Sequence, residues 1–231
     1  MGTPSVHVSG RGNRTVRVTL RASFSLKTAA SSHGPSRTVQ RVWEEITKTG
    51  RIQRALYNTV LECKLDPGSR LRYYSPDKKR VFIVGEVVAV EPPHKFSHTY
   101  RFTTKQEPPT LVTWELKDEA GGCRVTVTHA GWTAAHKAPE KVAAGWTEIL
   151  GLLKHELETG DLPTKTKIMY AVMGWFMFMM PKTTKTEYVD RLGAPASASV
   201  PSRSSRLSRP SRLPPGPNLH KLMTLLRLQD F

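Results

Sequence analysis

Cysteine is nearly missing from this 231-residue chain, and acid is missing altogether from its first 37 residues. Cys63 and Cys123 stand sixty positions apart. That is neither a disulfide framework nor a metal knuckle, so a reducing, cytoplasmic setting is the expectation. The N-terminus lacks the apolar core of a secretory signal. It is Arg- and Ser-rich, as an organelle transit peptide is, but the same segment contains a good strand. Catalytic signatures are lacking too: there is no Gly-rich phosphate loop, G-x-S-x-G, H-E-x-x-H or C-x-x-C. His129 and His136 have no thiol or paired carboxylate nearby at ligand spacing. The expectation is a chain with no catalytic residue, no metal and no cofactor.

Positive charge is abundant but unevenly placed. The formal net charge is +16, of which +6 falls in residues 1–37, +3 in 38–160 and +7 in 161–231. A basic chain often meets nucleic acid or an anionic membrane. Here the excess sits on Ser/Pro/Arg-rich ends around a nearly balanced middle, which argues against nucleic acid as the partner.

Hydrophobic spacing organises that middle. Val16, Val18, Leu20, Ala22, Phe24 and Leu26 alternate with polar residues, the period of a half-buried first strand over Thr15–Leu26. Lys27–Gly34 reads as a loop. Pro35 opens a helix with Val39, Val42, Trp43 and Ile46 on one face, which Gly50 can stop. Ile52, Ala55 and Leu56 allow a second, short helix. Six strands then follow, divided by Pro/Gly turns: Thr59–Leu65, Arg70–Ser75, Arg80–Val90, Lys95–Thr103, Leu111–Lys117 and Cys123–Trp132. Such close succession implies an antiparallel meander. After Pro139, Val142, Trp146, Ile149, Leu150, Leu153 and Leu157 form the apolar stripe of a long helix ending at Gly160.

This order, with RVWEEIT at 41–47, LDPGSRLRYYSPD at 65–77, GEVVAVEPPHKFSHTYRF at 85–102, LVTWEL at 111–116, CRVTVTHAGW at 123–132 and GWTEILGLLKHEL at 145–157, resembles the START/polyketide-cyclase (SRPBCC) superfamily. Within it the chain is most similar to the branch of the activator of the Hsp90 ATPase. The resemblance implies an α+β helix-grip fold, a curved antiparallel sheet wrapped around the long C-terminal helix with an apolar and aromatic cavity between them. Its members bind lipids, polyketides or other hydrophobic small molecules, and some are cyclases or hydrolases. Two departures stand out: Leu26 lies 17 residues before Trp43, farther than in the family, and the tail beyond about Asp190 has no counterpart in its core pattern.

The residues with a claim on such a cavity are Tyr57, Tyr73, Phe82, Val84, His98, Tyr100, Phe102, Trp114, Trp146, Leu150 and Leu153. Each is an ordinary core residue by itself; together, Tyr and Trp edges can orient a ligand as Val and Leu cannot. His98 alternates with Phe96, Tyr100 and Phe102, and a histidine so placed is more often a satisfied core residue than an acid or base. Glu86, the sole acid between Val84 and Val88, would have a raised pKa if inward and unpaired; an outward position is the commoner outcome. A hydrophobic small molecule bound without turnover is the first reading. A co-chaperone-like regulator of an Hsp90-type ATPase and a cyclase or hydrolase are the alternatives.

Four regions follow: a disordered basic N-terminus (1–14), the START-like domain (15–160), an accessory Met-rich helix (161–190) and a disordered basic tail (191–231). Ile168–Met180 holds five of the seven methionines. Thirteen helical residues reach only about 20 Å, short of the roughly 30 Å of a bilayer's hydrocarbon core. The segment is expected to dock on the domain, to make a homodimer face, or to contact a membrane surface between flanking lysines. Leu219–Leu228 could form a short helix.

Overall fold

The alternating run near the N-terminus is a strand, set well ahead of the first helix: it hydrogen-bonds to the last strand of the meander from Val16↔Trp132 to Phe24↔Cys123. The computed structural model describes residues 5–9, 16–24, 37–119, 122–133 and 139–193. In chain order the elements are β1 (Ser5–Ser9), β2 (Val16–Phe24), α1 (Arg37–Thr47), β3 (Ile52–Gln53), β4 (Thr59–Cys63), β5 (Arg70–Tyr74), β6 (Val81–Glu91), β7 (Lys95–Phe102), β8 (Thr110–Glu119) and β9 (Gly122–Trp132). They continue with α2 (Pro139–Thr159), α3 (Thr164–Phe176), two short 3-10 turns and α4 (Thr186–Gly193).

The nine strands form one sheet in the order β1-β2-β9-β8-β7-β6-β5-β4-β3. Every neighbouring pair is antiparallel. Side chains that face each other across a ladder build continuous rows on one face. Leu20, Val127, Trp114 and Phe96 make one such row, and Val18, His129, Val112, His98 and Val87 make the next. All nine are essentially fully buried. The long helix α2 covers this face with Trp146, Leu150 and Leu153, and α1 adds Val39, Val42, Trp43 and Ile46 to the same core. The fold is the expected helix grip.

One glycine sets how closely two strands approach. A Cβ on Gly85 would lie 2.0 Å from the Thr99 carbonyl oxygen. Only glycine lets β6 and β7 meet there, and next to it the Glu86 N–H donates to Thr99 Oγ1 at 2.8 Å.

Three expectations need correction. Ile52–Leu56 is not a short helix but the strand β3 and a turn, in which Tyr57 and Asn58 take positive φ. Tertiary bonds outweigh local helix propensity there. Gln53, fully buried, donates to the Glu45 and Ile46 carbonyls at the end of α1. Arg54 and the Ala55 N–H are both held by Glu156 of α2, at 2.7 and 3.2 Å. Residues 5–9, assigned to a disordered start, instead form the edge strand β1 against β2. The Met-rich helix stops at Phe176, and 3-10 turns at Met177–Met179 and Lys182–Thr184 lead into α4. The rest of the expected N-terminal disorder, the loop at 27–34 and the tail from 194, with its Leu219–Leu228 run, lie outside the described residues.

The segment from 161 to 193 is a strap. It leaves the end of α2, packs Tyr170, Met169 and Met173 of α3 against the main core, then crosses to the other face of the sheet. There Val189 of α4 closes a small second cluster with Val60, Tyr74 and Val81. Polar contacts pin it down. The Arg80 guanidinium donates to the Met180 and Pro181 carbonyls and to Thr184 Oγ1, at 2.9 to 3.1 Å. Thr186 binds Lys78 and Lys79, and buried Arg72 pairs with Asp190 at 2.5 Å.

Candidate functional site

The inner face of β7 carries Phe96, His98, Tyr100 and Phe102 by simple alternation, and β5 brings Tyr73 to the same side. Tyr73, Phe96 and Tyr100 surround the His98 ring at centroid distances of 6.1, 5.1 and 6.2 Å. Phe102 stands edge-on to Tyr100 at 5.2 Å. On the helix side, Trp146 meets Trp114 edge-on at 5.5 Å and lies 6.3 Å from Tyr100. Leu150 and Leu153 complete the roof. Tyr57 closes the side, its hydroxyl donating to Glu148 of α2 at 3.1 Å. Nine of the eleven expected residues therefore converge under α2.

Phe82 and Val84 do not join them. The register slips between β5 and β6, where Tyr73 faces Ile83 but Tyr74 faces Val81. Phe82 is the extra residue of that bulge. Ile83 and Val87 take the inner positions, and Val84 packs instead on the second cluster across the sheet. Glu86 shares the outer face with Val88 and is exposed.

A polar relay missed by the sequence reading locks the helix to the sheet. The Trp146 Nε1–H donates to His129 Nδ1 at 3.0 Å. An Nδ1 that accepts must be bare, so in a neutral ring Nε2 carries the proton and donates to Thr110 Oγ1 at 2.7 Å. The Thr110 hydroxyl passes its own proton toward the Tyr100 carbonyl at 2.9 Å. Every member is satisfied, and His129 is fully buried. The signal was present in outline: His129 alternates with Val125 and Val127, and Trp146 heads the apolar stripe.

His98 behaves differently. Its Nδ1 donates to the Thr99 carbonyl at 2.9 Å, which leaves Nε2 as a lone-pair acceptor. That nitrogen is buried and has no hydrogen-bond partner among the described residues. Desolvation drives the imidazole pKa down to about 4, the Thr99 bond opposing it weakly. The ring is neutral at pH 7. Burial likewise pushes the Tyr73 and Tyr100 hydroxyls well above the ordinary phenol range. Neither hydroxyl has a hydrogen-bond partner among the described residues. The site thus offers two phenol O–H groups and one imidazole acceptor inside an aromatic enclosure, with no nucleophile paired to a base.

Two surface hollows lie elsewhere. One of about 470 Å³ is bordered by Thr49, Glu62, Arg70, Arg72 and Tyr74, and one of about 360 Å³ by Glu91, His94 and Glu115. Among the described residues no group of three or more His, Cys, Asp or Glu is arranged to hold a metal ion. No described helix is long and apolar enough to cross a membrane.

A long helix gripped by a curled antiparallel sheet, with an aromatic inner face, defines the helix-grip class of the SRPBCC superfamily. The chain belongs to the activator of Hsp90 ATPase homolog 1-like protein family, whose profile matches residues 36–158. No curated protein matches. Solved structures with a similar fold include CalU16 from Micromonospora echinospora, at 15% identity over 68% of this chain and 86% of that one, TM-score 0.49. Protein MLL2253 from Mesorhizobium loti is 20% identical over 63% of this chain and 99% of its own, TM-score 0.49. PFC0360w from Plasmodium falciparum, an HSP90 activator, is 18% identical over 62% and 95%, TM-score 0.45.

Proposed function

We propose that this protein binds a small hydrophobic molecule, lipid- or polyketide-like, between α2 and the inner face of the sheet, without turning it over. One observation carries the reading. His98 Nε2 is a buried polar atom with no hydrogen-bond partner among the described residues, and the Tyr73 and Tyr100 hydroxyls stand beside it with no hydrogen bond to those residues. A buried atom of that kind costs about 1–3 kcal/mol unless something hydrogen-bonds to it. The relay through His129, a few ångströms away, shows no such deficit. A guest that brings its own hydroxyl or carbonyl into the Tyr73–His98–Tyr100 corner would remove the cost. Apolar burial at roughly 25 cal/mol per Å² would supply the rest of the affinity. A neutral guest fits best, because no cation lines the corner among the described residues and an imidazole lone pair repels a carboxylate.

We place the protein in the cytoplasm. Cys63 and Cys123 are both free, and burial raises their thiol pKa to about 11 and about 12, which keeps them protonated and inert.

Native mass spectrometry on protein purified from its own host tests the ligand. A co-purifying lipophile should be present, and Tyr73→Phe with Tyr100→Phe should lower its occupancy several-fold while the fold persists. A bare protein mass, together with no uptake of neutral fatty alcohols or phenolic polyketides added to it, would overturn the reading.

A further inference from the structure

The strap presents two opposite faces. One is docked: Thr166 and Tyr170 are buried, and Met169 and Met173 pack on the main core. The other is bare. Ile168, Val172 and Trp175 recur at helical spacing with 60%, 37% and 79% of their surface exposed, and Phe178 follows at 71%. Large apolar side chains in one contiguous patch are unusual on a soluble monomer and mark a surface that meets something.

Charge says what. From Leu162 to Thr186 the sequence has four lysines and no acid. Lys167 is neutralised by Asp161 at 2.6 Å. Lys165, Lys182 and Lys185 are exposed and pair with no acid among the described residues. The 38 residues after Gly193 add six more basic side chains and one acid. A second copy of the chain is disfavoured as occupant, because a two-fold interface sets each patch against itself and would bring the same lysines together. A helix of 13 residues is too short to span. An exposed Trp and Phe beside snorkelling lysines on a short helix is instead the composition of an element that lies in the headgroup region.

We infer that the outer face of α3 and the turn after it bind the surface of an anionic lipid bilayer, with Trp175 and Phe178 inserted at the interface and Lys165, Lys182 and Lys185 on the headgroups. The cytoplasmic leaflet supplies such a surface, and its anionic headgroups attract lysines held close to it. The inference does not depend on the ligand proposed above.

Co-flotation of the full chain with vesicles tests it. Binding to phosphatidylcholine vesicles containing about a quarter phosphatidylserine should exceed binding to pure phosphatidylcholine by roughly tenfold or more, and should fall as salt is added. Lipids brominated along the acyl chain should quench part of the tryptophan fluorescence, and Trp175→Phe should remove that part although four tryptophans remain. Trp175→Ser with Phe178→Ser should abolish flotation, and their exposure leaves the fold intact. Undiminished flotation of that double variant would assign binding to the basic tail and overturn the proposal. Equal binding to neutral vesicles would overturn it as well. So would no flotation together with a concentration-dependent dimer in sedimentation that the same double variant disrupts.

Discussion

The body of the domain and the strap that follows it are held by different physics. Under α2, rows of apolar side chains from five strands interlock, and the polar chain through Trp146, His129 and Thr110 runs inside that core. The strap from 161 to 193 has one apolar anchor in the main core, around Tyr170, and a four-residue cluster across the sheet. Between them it relies on polar contacts of Arg80 with the Met180 and Pro181 carbonyls and the Thr184 hydroxyl, of Arg72 with Asp190, and of Thr186 with the Lys78 and Lys79 carbonyls. The difference teaches that a dense core resists local change as a unit. A segment fixed by separate polar contacts can open by itself, as sub-global units of proteins do.

Truncation should separate the two most sharply. Leu153→Ala empties a fully buried site under α2 and should cost about 3–4 kcal/mol in urea unfolding. Val189→Ala, in the strap's cluster, should cost about 1–1.5 kcal/mol. Equal losses would mean that strap and body unfold together.

Acid should strike the body next. His98 protonates near pH 6.5 when unfolded but only near about 4 in the fold. Between those values the unfolded chain binds more protons. The stabilising contribution is therefore complete above pH 6.5 and is lost as pH falls toward 4, a change of about 3 kcal/mol at most. His98→Gln should flatten the decline measured between pH 7 and 4.5. An unaltered slope would show that this ring is not the group responsible.

Trp146→Phe keeps an aromatic ring in the core but deletes the Nε1–H that donates to His129 Nδ1. A loss of about 1–3 kcal/mol is expected, together with a shifted imidazole nitrogen resonance for His129. Smallest in global terms is Arg80→Ala, at about 1 kcal/mol. Its effect should concentrate in amide exchange at 177–190, while amides in β8 and β9 keep their protection. Uniform acceleration across both would erase the contrast.

Much of the body is legible in the sequence. Strand β2 is where alternation from Val16 to Phe24 put it, and the stripe from Val142 to Leu157 is the buried side of α2. Phe82 and Val84 were assigned to the wrong side because alternation was carried through a bulge. One extra residue opposite Tyr73 and Tyr74 reverses every side chain beyond it. The supposed helix at Ile52–Leu56 failed for another reason: its local pattern was ambiguous, and bonds from Gln53 to α1 and from Glu156 to Arg54 and Ala55 decided it. The role of His129 is not legible in the local pattern, because its partners come from β8 and α2, 19 and 17 positions away.

Spacing along the chain determined which elements form, their order and the apolar side of each, because burial of a helix or strand depends on a period set by its own backbone. Tertiary structure alone decided that His98 Nε2 on β7 is buried without a hydrogen-bond partner among the described residues, with Tyr73 of β5 and Tyr100 of β7 around it, and that α3 docks Met169 and Tyr170 while showing Trp175 to the outside. A hydrogen bond or an uncovered patch depends on what another part of the chain brings within a few ångströms. No local period records that distance.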